Sequence, residues 1–166
     1  MRLVEGLLQE LEEEAKTTRR VLERVPEDRL SWRPHRKART LGELALHVAI
    51  VPGAVAELVT GPSPAEAPNF VDPVPRSAAE LLPALEESIA KAKRLVSAMD
   101  DDAVRSPLTM KRGDRELFTT PRLALLRAIM LNHWYHHRGQ LAVYLRLLDV
   151  PVPSIYGPTS DENPFA

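Results

Sequence analysis

The fold is decided by the segment TPRLALLRAIMLNHWYHHRGQLAVYLRLL, residues 120–148. Apolar side chains recur along it in steps of three or four residues, which is the spacing of one face of an α-helix. Thr120 followed by Pro121 is typical of a helix start, because threonine caps free amides and proline is tolerated in the first turn. The helix is predicted to end at about Leu148, before Pro151. Its inward stripe comprises Leu126, Ile129, Met130, His133, His137, Gln140, Leu141, Tyr144 and Leu148.

Two amphipathic helices are predicted in the first part of the chain. Apolar residues at helical spacing place the first over residues 3–25. The second begins at Thr40, which together with Glu43 forms a capping box, in which each side chain satisfies a free backbone amide at the helix start. Its inward stripe includes His47, and Pro52 predicts a bend because proline removes one intrahelical hydrogen bond.

A third helix is predicted to begin at another capping box, Ser77–Glu80, and to end at the acidic residues 100–102. Before it, residues 61–76 contain five prolines and predict an extended crossover between parallel neighbouring helices. After it, residues 103–119 lack helical periodicity and predict a small hairpin whose turn contains Gly113.

These elements predict an all-α four-helix bundle with a hairpin or irregular insert before the last helix. The chain of 166 residues is expected to form a single domain over residues 1–166, with an irregular tail at 149–166. A chain of this length folds without disulfides or a structural metal. Any bound metal is therefore expected to serve another purpose.

Charge and composition exclude several classes of protein. The 22 basic and 23 acidic residues nearly cancel, which argues against sequence-independent binding to nucleic acid. Glu5 interrupts any apolar signal-peptide core, and no run of 18 apolar residues predicts a membrane span. The absence of cysteine fits the cytoplasm, and it means that any thiol chemistry would require a thiol brought by a substrate.

Three histidines on the predicted inward stripes suggest a metal site. His133 and His137 are four residues apart and project from the same helix face, although on this spacing alone a metal and coincidence are about equally favoured. His47 by itself would more often be a hydrogen-bonded core residue. Bundle metal sites are built from inward side chains on facing helices, so the coincidence of all three favours a shared metal.

Such a three-histidine set leaves one coordination position open, as in catalytic rather than structural zinc sites. Nitrogen ligands suit zinc, nickel, copper or iron, and the sequence does not choose among them. Glu43 is interpreted as a helix cap rather than as a fourth ligand. His136 points about 100° away from His137 and is expected to be a neighbouring or interface residue. His35, in a loop, has no predicted metal role.

Three further residues have open roles. Arg138 could bind an anionic substrate, but a solvated charge is the favoured interpretation. Trp32 and Tyr156 could line the mouth of a pocket or contribute to packing, with no preference between the two.

Four motifs give this chain a resemblance to a known family: Leu30–Pro34, Thr40–His47, Asn132–Leu141 and Val152–Pro158. Together they resemble the DinB-like superfamily of damage-inducible, metal-binding four-helix bundles, over nearly the whole chain. The resemblance implies an up-down-down-up helix order, a homodimer and a role in stress response. It also implies one divalent metal held by His47, His133 and His137, with zinc and nickel favoured over iron and copper.

Characterised members of that family include S-transferases and isomerases that use low-molecular-weight thiols such as mycothiol or bacillithiol. The leading hypothesis is therefore a cytoplasmic metal-dependent S-transferase, in which the metal lowers the pKa of a thiol that attacks an electrophile. A hydrolase that uses metal-bound hydroxide is the second hypothesis, although no inward carboxylate is available as its general base. A non-catalytic dimer that binds a metal or ligand is the third.

Overall fold

Residues 2–69 and 73–166 are described by the structure, which is a computed structural model. Its helices form where apolar residues recur at helical spacing. In chain order they are α1 Leu3–Leu22, α2 Leu41–Thr60, α3 Leu81–Ser97, the short α4 Asp101–Arg105, α5 Arg122–Leu125 and α6 His133–Leu147. A π-helical stretch, Leu126–Asn132, joins α5 to α6. The predicted all-α bundle is confirmed.

The helices α1 and α6 run parallel, as do α2 and α3. Between α2 and α3, the Gly53 amide bonds to Ser88 and Lys91 pairs with Glu57, so position along one helix rises with position along the other.

Contacts along α1 show how this helix runs relative to α6 and α3. On α6, Tyr135 donates to Glu10 and Arg138 to the carbonyl of Glu14, so these two helices are parallel. On α3, Ser97 lies level with Arg2 at the start of α1, so these two helices are antiparallel. The helix order is therefore up-down-down-up, with the long connection between α2 and α3.

The insert before the last helix is a hairpin, as predicted. Strand β2, Pro107–Arg112, pairs antiparallel with β3, Arg115–Pro121, and the turn contains Gly113 at φ +58°, where a side chain would be strained. The sequence did not predict that the crossover also contributes a strand. Strand β1, Ala65–Glu66, lies in this crossover and pairs parallel with β2 at the edge of a three-stranded sheet. Residues 70–72 of the predicted crossover lie outside the described residues.

One predicted capping box is confirmed and another is wrong. The Thr40 hydroxyl accepts from the Glu43 amide at 3.1 Å, and the Glu43 carboxylate accepts from the Thr40 amide at 2.6 Å. Ser77 makes no side-chain cap, because a 3-10 turn, Ala78–Glu80, separates it from α3. The Glu80 carboxylate accepts instead from the amide of Arg76.

The start of the last helix also differs from the prediction. Thr120 lies in β3 and pairs with Leu108, so it cannot cap a helix. Pro121 is the residue before the helix rather than a member of its first turn, and the helix begins at Arg122. The hairpin strand thus extends further than propensity indicates, because its pairing with β2 satisfies the backbone.

Two other boundaries are corrected. Helix α1 ends at Leu22 rather than at residue 25. The acidic residues after α3 do not simply end a helix: the Asp100 carboxylate accepts from the Ala103 amide at 2.7 Å and caps the start of α4. Aspartates favour helix starts because they satisfy free amides there and complement the positive end of the helix dipole.

Helix α2 lies in the middle of the bundle between α3 and α6. Its length and apolar composition would suit a membrane span, but 56% of its apolar window is buried against the rest of the chain, as in the core helix of a globular protein. At Gly53 a Cβ atom would lie 2.9 Å from the backbone of Ser88, so glycine allows the close approach of α3. The buried apolar side chains of all the long helices join one hydrophobic cluster.

Candidate metal centre

Three histidine side chains converge between α2 and α6. His47 lies in the second turn of α2, and His133 and His137 lie in the first turn and a half of α6. Each offers one ring nitrogen, and these atoms all lie within 4.8 Å of one another. The rings are steeply inclined to one another, by 66–85°. The predicted triad is thus brought together.

The geometry suits a small divalent ion. The Nε2 atoms of His47 and His133 are 3.3 Å apart. Two nitrogens that share a tetrahedral ion at the usual zinc distances would be about 3.3 Å apart, so this pair needs little adjustment. The third histidine must move its nitrogen slightly inward to complete the set. The three residues together could hold a metal ion with a position left open.

Gln140 orients the ring of His137. The Nδ1 atom of His137 lies 2.7 Å from Oε1 of Gln140, one helical turn further along α6. Because the amide oxygen accepts only, Nδ1 carries the proton and donates, which leaves the lone pair of Nε2 available for a metal. Sequence reasoning placed Gln140 on the inward stripe but assigned it no role.

The environment of His133 and His137 favours their neutral form. Burial lowers the pKa of His137 to about 4, and the neighbouring His133, Arg39 and His136 act in the same direction, whereas the hydrogen bond that His137 donates to Gln140 raises it. Burial likewise lowers the pKa of His133, assisted by His136 and Arg39. Neutral imidazoles are the form that binds metals, so both rings are ready to act as ligands near neutral pH.

A proline in α2 helps to position the triad. Pro52 has no backbone N–H, so the carbonyl of Val48, four residues earlier, loses its intrahelical partner. The indole N–H of Trp134 donates to that carbonyl at 2.7 Å, and the indole is fully buried. Val48 directly follows His47, and Trp134 directly follows His133. One hydrogen bond therefore aligns the two helices at the level of the ligands.

The segment around Pro52 is also held by a residue of α3. The hydroxyl of Ser88 accepts from the Gly53 amide at 2.8 Å and donates to the Ile50 carbonyl at 3.0 Å. This bridge satisfies backbone groups on both sides of the proline. The sequence identified Pro52 as an interruption of the helix, but it did not identify Trp134 and Ser88 as the side chains that bond to the backbone around it, because they come from distant parts of the chain.

The π-helical stretch lies immediately before His133. Wider π turns change the angular phase of the residues that follow, and they are frequent at functional sites. Met130 is fully buried here, whereas Ile129 is 39% exposed. Ile129 thus faces the margin of the site rather than the core, which a regular helical stripe did not predict.

An apolar cavity of about 520 Å³ lies beside the triad, with His47 and His133 in its wall. Helix α2, the hairpin, the crossover and the last helix all contribute to it. The other lining residues are Ile50, Val51, Ala54, Val55, Leu58, Val59, Ala67, Pro68, Asn69, Pro73, Met110, Arg112, Leu117, Phe118, Leu125 and Ile129. No sequence motif indicated this cavity, because its walls come from four separate segments.

The residues set aside as ligands do not join the triad. Glu43 is occupied by its capping hydrogen bonds with Thr40. His136 is exposed, and its ring centre lies 5.0 Å from that of His137 without entering the cluster. The loop residue His35 accepts a hydrogen bond from the amide of Lys37.

The interpretation of Arg138 as a solvated charge is wrong. It is 1% exposed and lies 2.5 Å from the carboxylate of Glu14. Its guanidinium also donates to Thr18 at 3.1 Å and to the hydroxyl of Tyr156 at 2.5 Å. Tyr156 thereby anchors the C-terminal tail to the bundle. Trp32 packs edge-on against Tyr144, with the two ring centres 5.6 Å apart. Neither aromatic residue is among the described lining of the cavity.

Comparison with known proteins gives a consistent assignment. The DinB family model matches residues 2–163. The uncharacterized protein YrdA of Bacillus subtilis is 26% identical over 165 residues, which span 96% of this chain and 91% of that protein. A crystal structure of a DinB-like protein from Bacillus cereus superposes with a TM-score of 0.69 at 26% identity, over 92% of this chain and 97% of that one.

Two more distant structures share the fold. A DinB-like protein of Bacillus subtilis, YjoA, has a TM-score of 0.65 at 17% identity, with 95% of this chain and 98% of the other covered. A proposed DinB member from Exiguobacterium sibiricum has a TM-score of 0.60 at 22% identity, with 93% and 96% covered. Because the family model spans almost the whole sequence, the chain belongs to the DinB family.

Proposed function

We propose that this protein is a metal-dependent S-transferase that activates a low-molecular-weight thiol. The observation that carries the proposal is the convergence of His47, His133 and His137, with their ring nitrogens within 4.8 Å, at the wall of an apolar cavity. The chain has no cysteine, so a reacting thiol would come from a second substrate.

Each residue of the proposed site would have a separate role. The three histidines would hold one divalent ion, with zinc or nickel favoured and iron or copper as alternatives. Gln140 would keep the His137 ring in the tautomer that exposes Nε2. A metal bound in this way would supply Lewis acidity that lowers the pKa of a thiol at its open position.

In the transfer itself, a sulfur–carbon bond would form between the thiolate and an electrophilic carbon of the second substrate. The proton of the thiol would pass to water. In a substitution, the bond between that carbon and a leaving group would break, and the group would depart with the electron pair. In an addition, the π electrons of an activated double bond would move to its far atom, which would then take a proton from water. The cavity would hold the electrophile and exclude bulk water from the thiolate. His133 and His137, whose pKa values are lowered, are suited to binding a metal rather than to proton transfer at neutral pH.

The remaining expectations about partners belong to the same proposal. We expect a homodimer in the cytoplasm that uses a small thiol and an electrophile and binds neither nucleic acid nor membranes. The near balance of 22 basic and 23 acidic residues supports the exclusion of nucleic acid.

A hydrolase remains the second candidate, and a non-catalytic dimer that binds a metal or ligand the third. Within residues 2–69 and 73–166 the ligand cluster contains histidines alone, and the carboxylate of Glu43 is held in its cap. A hydrolase would need a general base, so the thiol reaction is favoured. A reaction rate that persists without any thiol would favour the hydrolase.

The first test is elemental analysis of untagged protein purified without chelator. We expect about one equivalent of metal per chain, lost in His47→Ala and in His133→Ala and retained in His136→Ala. His136 is a matched control because it is a histidine on the same helix and outside the cluster. Wild-type protein that neither contains nor takes up metal would refute the triad.

The second test measures activity. Metal-loaded protein is incubated with a panel of cellular thiols and an electrophile whose conjugation changes its absorbance. We expect a rate above background for at least one thiol, abolished in His47→Ala and kept in His136→Ala. A rate that equals background with every thiol, in protein shown to hold its metal, would overturn the transferase assignment.

A further inference from the structure

We infer that the 520 Å³ cavity beside the triad binds the neutral, apolar body of the second substrate. This inference deepens the proposed function and rests on it for the identity of the occupant as a substrate. The binding of an apolar molecule does not depend on that function and is tested separately.

The chemistry of the cavity wall indicates what it binds. Apart from the two ligand histidines, only Asn69 and Arg112 bring polar side chains to the part of the lining that the structure describes. A charged group placed along the rest of the wall would lose its hydration without a partner, which costs several kcal/mol. The favoured occupant is therefore neutral over most of its length.

Exposed apolar side chains around the cavity support this choice. Leu117 is 40% exposed, Phe118 is 46% exposed and Ile129 is 39% exposed, and all three line the cavity. Exposed large apolar side chains that lie together mark a surface that binds a ligand or a partner. A bound apolar molecule would remove part of each side chain from water.

The size of the cavity and the residues in its wall favour a small molecule over a second copy of the chain. Its volume of about 520 Å³ lies within the range of roughly 300–1,000 Å³ that is usual for small-molecule sites. The wall also contains His47 and His133, so an occupant would present one end to the triad. A flat contact between two chains would have no need for either feature.

The position of the triad orients the substrate. The reactive carbon would lie beside His47 and His133, and the apolar body would extend between α2 and the hairpin. Ala54 on α2 lines this path and is exposed, so a larger side chain there would occupy the cavity without entering the packed core. A large side chain at this position would therefore block the cavity and leave the fold intact.

The test uses metal-free protein and n-alkylbenzenes from toluene to hexylbenzene, measured by titration calorimetry. These probes contain neither a thiol nor a metal ligand. We expect the affinity to rise by up to about fourfold for each added methylene until the cavity is full. Ala54→Phe should weaken binding of butylbenzene at least tenfold, and Ala90→Phe, at an exposed alanine on α3, should leave it unchanged.

Circular dichroism and thermal unfolding establish that both variants fold. No dependence on chain length, or equal binding by wild type and Ala54→Phe, would overturn the inference. It would also be overturned if sedimentation showed a dimer that Ala54→Phe dissociates and probe binding rose only on dissociation, because a second copy would then cover this face.

The proposed transferase activity is tested separately from the binding of alkylbenzenes. If alkylbenzenes bind with the expected dependence but no thiol is conjugated, the cavity stands as a binding site and the transferase assignment fails. If conjugation occurs, we expect kcat/KM to increase with the alkyl length of the electrophile in wild type and to lose this dependence in Ala54→Phe. A conjugation rate that is indifferent to both would show that the substrate lies elsewhere.

Discussion

His137 and Arg138 are neighbours on α6 and both are buried, but their surroundings differ in kind. Arg138 meets the carboxylate of Glu14 and the hydroxyls of Thr18 and Tyr156, so its charge is balanced from within the chain. His137 belongs instead to a group of three imidazoles whose nitrogens converge. The first cluster brings donors to acceptors, and the second brings together groups of the same type.

The difference shows how a structural polar cluster is distinguished from a binding site. A buried charge with complementary partners stabilises one arrangement of the chain, although its desolvation offsets much of that gain. Like groups in a buried cluster gain little from one another, and burial lowers the pKa of two of these histidines. Perturbed groups that converge beside a cavity indicate a site completed by a ligand from outside.

The largest effect is expected from removing one member of the histidine cluster. We predict that His133→Ala reduces the metal content from about one equivalent per chain to none. It would remove a ligand outright, whereas loss of a supporting residue typically costs only about 10–100-fold in affinity. Metal analysis after dialysis against a weak chelator measures this. Arg138→Met, which retains every histidine, is the control. Equal metal loss in His133→Ala and Arg138→Met would contradict the assignment of the metal to the histidine cluster alone.

The Arg138 cluster should respond through stability. Arg138→Met leaves the carboxylate of Glu14, whose side chain is only 15% exposed, without its cation. We predict a loss of about 3–5 kcal/mol in the free energy of unfolding, measured by urea denaturation of the metal-free protein.

The double variant Arg138→Met/Glu14→Gln should recover part of this loss, since it removes the unpaired charge. A loss below about 1 kcal/mol in the single variant would show that the buried pair contributes little.

Gln140 links the two kinds of cluster, because it is a structural partner of a proposed ligand. We predict that Gln140→Leu weakens metal binding about 10–100-fold, since the His137 ring loses the acceptor that selects its tautomer. Competition with a chromogenic chelator measures the affinity. Gln140→Glu keeps an acceptor at this position and should bind more tightly than the leucine variant. Equal affinities for wild type and Gln140→Leu would contradict the role.

The hydrogen bond from Trp134 to Val48 should contribute about 1–3 kcal/mol to stability. Trp134→Phe would leave the Val48 carbonyl buried without its partner. In a Pro52→Ala background an intrahelical N–H becomes available to that carbonyl, so the same substitution should cost less. Unfolding of the four proteins in this cycle gives the coupling. Additive losses would show that the proline does not create the position for the indole.

A pH dependence of stability is also expected in the metal-free protein. The pKa of His137 falls from 6.5 when unfolded to about 4 when folded, so the unfolded chain binds more protons between these values. Stability should therefore decrease as the pH falls from 6.5 to about 4, with no further contribution below that. Urea midpoints at pH 7, 5.5 and 4.5 measure the slope, and His137→Gln should flatten it. An unchanged slope in the variant would contradict the neutral state of the buried ring.

The local elements of the fold were largely predictable. Helical periodicity identified the four long helices, and the reciprocal hydrogen bonds of Thr40 and Glu43 were read from four residues. Predictions failed where pairing with a distant segment overrode local preference. Thr120 belongs to a strand because β2 lies beside it, and Ser77 makes no cap because a 3-10 turn comes between it and α3.

The proposed site shows the same division. The inward positions of His47, His133 and His137 followed from their places on two helical stripes, so the candidate ligands were available from the sequence. The partner of Arg138 was not, since Glu14 lies on a helix 124 residues earlier. A charge on a helix surface and a charge buried between helices have the same local sequence pattern.

By itself, therefore, the sequence determined which segments become helices, where Pro52 removes a hydrogen bond from α2 and which residues could serve as ligands, because these properties depend on neighbours within one or two turns. Only the tertiary structure decided three other features. Trp134 donates to the Val48 carbonyl that Pro52 leaves without a helical partner, the charge of Arg138 is balanced in the interior, and an apolar cavity lies beside the histidines. The physical reason is that hydrogen-bond satisfaction, desolvation and cavity shape are set by groups that meet across the bundle.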